Sequence, residues 1–214
     1  MKNEQWFDLY YRDEELFSSE GFTKSVAKTL RIPGKEALLR PWDAFHLFRL
    51  AKSIPDGGAY LEIGSAHGGS LRLAHIAAAS VKTKIKLIAI DPFVPYRAER
   101  RSIKWTKEHF IKNIIDIRNI ILINAPSEIT YFLLKNNVID LLFIDGPMSF
   151  KQTKSDIERY YPKVKPGGVM LGHGFRKKYP GVVQAVKSVF QGHYIVPENS
   201  GMWMVEKDGD SHES

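Results

Sequence analysis

Short apolar runs alternating with helix-like segments constrain this chain more than any other feature. The runs 59–63, 85–90, 120–123, 139–144 and 168–171 are each too short for a helix and are rich in Ile, Leu and Val. Segments with helical character lie between or beyond them, at 69–80, 102–115, 127–136 and 149–160. Continuously apolar strands separated by helices predict a parallel sheet buried on both faces. The end of the chain departs from this rhythm. A helix at 181–190 leads into strand-like segments at 193–197 and 202–206, with four residues between them. A parallel crossover needs a dozen or more residues, so these two segments are antiparallel if they pair. The expected fold is α/β: a doubly wound, Rossmann-like sheet of seven strands. Most of them run parallel, the last is antiparallel, and helices cover both faces.

Residues 1–58 mix aromatics with charges and carry helices near 13–19 and 41–53. Pro41 suits a first helical turn. This stretch is expected to form an N-terminal helical cap within the same domain as the cofactor-binding part at 59–206. Residues 207–214 are charged and small, and read as a disordered tail. A chain of 214 residues with 43% hydrophobic content can bury one sizeable core. No apolar run reaches the roughly 18–20 residues that cross a bilayer, and acidic residues interrupt the N-terminus before any signal-peptide core. The expected location is therefore cytoplasmic, with no membrane partner. The absence of cysteine excludes disulfides, thiolate zinc sites and thiol catalysis. A net charge of +7 favours anionic partners, although solubility alone also accounts for it.

In open parallel sheets, ligands sit beyond the C-terminal ends of the strands. After the first strand stands Glu62-Ile63-Gly64-Ser65-Ala66-His67-Gly68-Gly69. Gly64 permits a tight turn, and Gly68 and Gly69 admit a ligand close to the backbone. Three residues separate Gly64 from Gly68, so this is not the dinucleotide pattern G-x-G-x-x-G. Glu62 suits a cationic group better than a pyrophosphate. A glycine-rich turn without a ligand is the other reading. After the second strand stands Asp91-Pro92-Phe93. Asp91 can accept hydrogen bonds from ribose hydroxyls, and Phe93 can lie against a purine face. A turn-fixing aspartate is the alternative.

The set Glu62-x-Gly64-x-x-x-Gly68, Asp91, Asp145-Gly146 and Lys165-Pro166-Gly167-Gly168 resembles the class I S-adenosylmethionine-dependent methyltransferases. It is most similar to their small-molecule O-methyltransferase-like branch. The resemblance covers about residues 59–206 and includes Pro180-Gly181-Val182 at the entry to the last helix. It implies S-adenosylmethionine as cofactor. Glu62 would hold the methionine amino end through water, Gly64, Ser65 and Gly68 would line the cofactor with backbone, and Asp91 would bind the ribose. Ala125 stands where the family often has an acid that reads adenine, and Ser127 is the nearest polar substitute.

Two positions depart from the branch. Met148 replaces the usual His after Asp145-Gly146, and Gly174 replaces an Asp after His173. Metal-dependent relatives draw magnesium ligands from these loops, and magnesium prefers oxygen. No catalytic metal is therefore expected. Asp145 and His173 are the candidate catalytic pair, since a histidine can take a hydroxyl proton near neutrality. A hydrogen-bonded histidine at a strand end is the competing reading. Arg97, Arg100, Arg101, Trp105 and Arg176 follow the second and fifth strands and suit a phosphate or carboxylate on the acceptor. The expected function is methyl transfer to a hydroxyl, or less readily an amino group, of a small anionic molecule. Two alternatives are a nucleic-acid methyltransferase and a non-catalytic cofactor-binding protein. The first is opposed by the absence of an N/D-P-P-Y/F motif. The oligomeric state is left open.

Overall fold

The computed structural model describes residues 3–31, 38–94, 96–98, 101–103 and 106–209. Strands β1 (Ala59–Ile63), β2 (Lys86–Ile90), β5 (Ile120–Ile123), β6 (Ile139–Ile144), β7 (Val164–Gly172) and β8 (Trp203–Glu206) form one sheet in the order β5-β2-β1-β6-β7-β8. The first five run parallel, and β8 pairs antiparallel with β7. A separate hairpin joins β3 (Tyr96–Ala98) to β4 (Arg101–Ile103). Helices α1 (Asn3–Tyr11), α2 (Glu14–Ser19), α3 (Lys24–Thr29) and α4 (Pro41–Lys52) precede the sheet. Helices α5 (Gly69–Ser80), α6 (Lys107–Ile114), α7 (Phe150–Tyr160) and α8 (Pro180–Phe190) connect its strands.

Because strand side chains alternate faces, the sheet carries two cores. Tyr60, Leu87, Leu141 and Phe143 point to one face, where α4, α5 and the N-terminal aromatics Trp6, Tyr10, Phe17 and Phe22 join them. Leu61, Ile63, Ile88, Ile90, Leu142 and Ile144 point to the other and meet Ile157, Tyr160, Val182 and Val186 of α7 and α8. Each face is thus closed by helices, as the uniformly apolar strands require.

Three elements differ from expectation. The main sheet has six strands, not seven: the segment expected at 193–197 makes a single antiparallel bridge, Ile195 to Met204. The next hydrogen-bonded pairs in that ladder would use Pro197 and His193. Proline has no N–H, and His193 N–H is already given to Phe190 O at 2.8 Å. The segment 127–136 forms two 3₁₀ turns, Ser127–Ile129 and Tyr131–Leu133, rather than an α-helix. Ser127 O accepts from Tyr160 Oη at 2.9 Å and from Thr130 N, which holds the tighter i→i+3 turn. The helix expected from 102 begins at Lys107, capped by the Thr106 hydroxyl on His109 N. Lys207 prolongs the sheet edge through reciprocal bonds with the backbone at Gly167 and Gly168.

Candidate functional site

The strand order reverses direction at β1, between β2 and β6. A cavity of about 350 Å³ opens there at the C-terminal ends, a size suited to a small organic ligand. Its polar wall holds Asp91, Ser127, Glu128, Asp145 and Gln152, and its backbone wall includes Gly64 and Ala66. Among the described residues, that wall carries three carboxylates and no lysine or arginine, so it favours a cationic ligand.

Gly64 draws the two halves together. Its φ is +89°, and a Cβ there would stand 2.5 Å from Asp145 O. Only glycine lets the loop after β1 lie against the backbone after β6. Asp91 is held by that same loop: Oδ2 accepts from Ala66 N at 2.9 Å and Oδ1 from Phe93 N at 2.6 Å. Asp91 therefore fixes the turn, and it also lines the cavity with lone pairs left on each oxygen. Phe93 itself turns away and packs on Phe110 at 5.3 Å between rings, leaving Pro92 and Val94 on the wall.

Glu62 lies behind the wall and is fully buried. Oε2 accepts from Tyr60 Oη at 2.6 Å, while Oε1 has no hydrogen-bond partner. Burial pushes its carboxyl up to about 7, against the pull of the Tyr60 hydroxyl bonded to it. A carboxyl held this high costs the fold stability as pH rises from about 4.5 towards 7, a cost that a nearby cation offsets. Ser65 is buried with Oγ unpaired, and Gly68 caps α5. Ser127 reaches the wall but donates its hydroxyl to Asp156 Oδ1 at 2.6 Å and accepts from Gln152 Nε2 at 3.1 Å. Burial raises Asp156 to about 6. The orphaned Glu62 oxygen, the acidic wall and the ribose-competent Asp91 fit a ligand with a cationic centre and a sugar, which S-adenosylmethionine is.

Asp145 and His173 meet as expected, with His173 Nδ1 3.0 Å from Asp145 Oδ1. Asp145 lines the cavity and His173 stands behind it. A residue absent from the sequence reading completes the cluster. Asp43 of α4 is fully buried, and its Oδ2 lies 3.4 Å from His173 Nε2. Burial pulls His173 down, but the two carboxylates outweigh it and push it up to about 9. The sequence reading expects a histidine that titrates near neutrality; placed between two carboxylates, this one keeps its proton there. Its stabilising contribution is complete below about 6.5 and is lost as pH rises through about 9. Asp43 was missed because a carboxylate in a first helical turn looks like a cap, and it does accept from Arg40 N.

Arg176 donates to Asp43 Oδ2 at 2.5 Å and is not on the cavity wall. Arg97 and Arg101 sit on the β3–β4 hairpin that follows β2. Arg100 and Trp105 lie outside the described residues. A Cβ at Gly174 would stand 2.4 Å from Met148 Sδ, so the methionine fills the space that a side chain at 174 would need. Among the described residues, no helix is long and apolar enough to cross a membrane.

The sequence model of a family described as a methyltransferase domain matches residues 61–175, just over half of the chain. Comparison with curated protein sequences finds no match. Among solved structures, the chain resembles a putative caffeoyl-CoA O-methyltransferase from Staphylococcus aureus, at 15% identity and TM-score 0.61, over 96% of this chain and 98% of that one. It also resembles a methyltransferase of Podospora anserina bound to S-adenosylhomocysteine, at 14% identity and TM-score 0.61, over 97% and 98% of the two chains. A third is a TDP-rhamnose 3'-O-methyltransferase of calicheamicin biosynthesis, at 18% identity and TM-score 0.59, over 76% and 77%. These likenesses show a shared fold, and the family match covers both the glycine loop and Asp145. The chain belongs to the methyltransferase domain family and is a class I S-adenosylmethionine-dependent methyltransferase.

Proposed function

We propose that this methyltransferase acts on a hydroxyl of a small, anionic acceptor, with Asp145 as the group that takes the hydroxyl proton. The observation that carries the reading is the Asp145 carboxylate on the cavity wall, backed by His173 at 3.0 Å. S-adenosylmethionine supplies an electrophilic methyl on a sulfonium. Glu62 and the acidic wall favour its cationic end, and Asp91 accepts from its ribose hydroxyls. Asp145 orients the acceptor hydroxyl and receives its proton, while cationic His173 holds the carboxylate in place. O-methyltransferases among the structural neighbours support oxygen as the acceptor atom, and the phosphorylated sugar named for one of them belongs to the proposed acceptor class. The test is transfer of labelled methyl to a panel of phenols, sugar phosphates and hydroxy acids, with amines, RNA and DNA alongside. Label on an anionic hydroxyl compound supports the reading. Label confined to nucleic acid, with binding that falls steeply as salt rises, would replace it. Tight cofactor binding without transfer to any acceptor would favour the non-catalytic alternative.

The transfer is expected to proceed without a metal, because Met148 and Gly174 add no side-chain carboxylate to the loops that carry Asp145 and His173. Turnover measured after exhaustive EDTA treatment should stay within twofold of the untreated rate. Activity lost to EDTA and restored by magnesium would show that other oxygens build a metal site.

The anionic character of the acceptor rests on the β3–β4 hairpin, since Arg176 is engaged by Asp43. Reversing charge at Arg97 and Arg101 together should raise the acceptor KM about tenfold or more, in line with loss of charge-assisted hydrogen bonds. The cofactor Kd should stay within twofold. An unchanged KM would remove the hairpin from acceptor binding.

A further inference from the structure

We propose that Asp43, on the N-terminal cap, is a positioning residue for methyl transfer, clamping His173 so that its Nδ1 stays on the Asp145 carboxylate. The inference rests on the role given to Asp145 above and adds to it a residue that no motif marks. Three parts of the chain converge on one imidazole: the loop after β6 supplies Asp145 at 3.0 Å from Nδ1, α4 supplies Asp43 at 3.4 Å from Nε2, and the loop after β7 carries His173 itself. Asp43 is in turn fixed from two sides, by Gly201 N at 2.7 Å on Oδ1 and by Arg176 on Oδ2. The charged and titratable groups facing this cluster are Arg176 and, on α4, His46 beside Asp43, and, on β1, Glu62 and Tyr60 beside Asp145.

With a carboxylate at each nitrogen, the imidazole has no reason to flip. A neutral histidine could present either nitrogen to Asp145, whereas a cation hydrogen-bonded to Asp145 through Nδ1 and ion-paired with Asp43 at 3.4 Å from Nε2 favours one arrangement. Burial pushes Asp43 up, but His173, Gly201 N–H and Arg176 outweigh it and hold it at about 2, so the clamp carries its charge across the working pH range. The cap helix is thereby coupled to the reacting carboxylate through one part-buried chain of ion pairs, whose far end is Arg176.

The test is the titration of His173, followed by NMR of ring-labelled histidine in the wild-type protein, in Asp43→Asn and in Arg176→Gln. In the wild type, His173 should stay protonated well above neutrality, with its Nδ1 proton on Asp145. Asp43→Asn should lower the midpoint by about 1–2 pH units. Turnover should fall at least tenfold, and cofactor Kd should stay within threefold. Arg176→Gln removes the competing cation from Asp43 and should move the midpoint the opposite way. A merely structural role would not give shifts of opposite sign. If Asp43→Asn does not fold, the wild-type and Arg176→Gln titrations still decide. A wild-type midpoint near the ordinary 6.5, or a midpoint indifferent to both substitutions, overturns the proposal. Cofactor binding and methyl transfer by the same wild-type sample would then leave the functional reading standing. Their absence would sink that reading instead.

Discussion

Asp145→Asn is expected to lower methyl transfer by about 10²–10⁴-fold, the usual worth of a positioned acid or base. Asparagine keeps the shape and the contact with His173 but cannot take a proton at neutral pH. Cofactor affinity should fall far less than turnover, because the cavity retains Asp91, Glu128 and the Gly64 turn. His173→Gln should reduce turnover in the same direction but by less, since it removes the orientation of the carboxylate and not the carboxylate itself. Both effects are read as kcat on the true acceptor, with cofactor Kd measured separately. An Asp145→Asn enzyme of full activity would leave catalysis to the positioning of acceptor and sulfonium alone.

Gly64→Ala carries the largest expected effect on the fold. A Cβ at 2.5 Å from Asp145 O meets backbone rather than a flexible side chain, so β1 and β6 must part or the turn must deform. Strain from φ +89° adds about 1–2 kcal/mol and overpacking about 1–3 kcal/mol, for a loss of about 2–5 kcal/mol. In a chain of this size that lowers Tm by about 4–20 °C. Gly57→Ala is the control: its φ of +75° is similarly strained for alanine, but the new Cβ would touch nothing within 4 Å. It should cost only the conformational part. Equal Tm values for the two variants would mean that the contact between the two loops does not matter to stability.

The parallel sheet was legible because its strands are buried on both faces and so have no polar alternation. Ala59–Ile63, Ile120–Ile123 and Ile139–Ile144 form with the boundaries their apolar runs mark. What failed depended on contacts far away in sequence. The 3₁₀ turns after β5 follow from Tyr160, whose hydroxyl claims Ser127 O across 33 positions. The missing strand beside β8 follows from Pro197 and from His193, whose N–H is spent on capping α8. The helix expected from 102 overlaps the end of β4, Arg101–Ile103, and begins only at Lys107.

The site divides in the same way. Gly64, Asp91 and Asp145 announce themselves by their distance from strand ends, Ser127 is suggested only by the family resemblance, and all four line the cavity. Glu62, Phe93, His173 and Arg176 have the right chain positions but side chains that point behind the wall, which spacing alone does not reveal. Asp43 gives no signal at all in sequence. It lies 133 positions from Arg176 and 158 from Gly201, and only the folding of the cap onto the sheet brings them together.

The central claim, that this cavity holds S-adenosylmethionine through Asp91, is tested most directly by calorimetric titration of the wild-type protein and Asp91→Ala with S-adenosylhomocysteine. The wild type should bind one equivalent, and a ligand concentration of about a hundred times Kd should stabilise it by about 2.7 kcal/mol. That corresponds to a rise in Tm of roughly 5–10 °C. Asp91→Ala should remain folded and bind at least tenfold more weakly. No heat and no rise in Tm with either S-adenosylhomocysteine or S-adenosylmethionine would contradict the account, and equal affinity in Asp91→Ala would place the cofactor elsewhere on the chain.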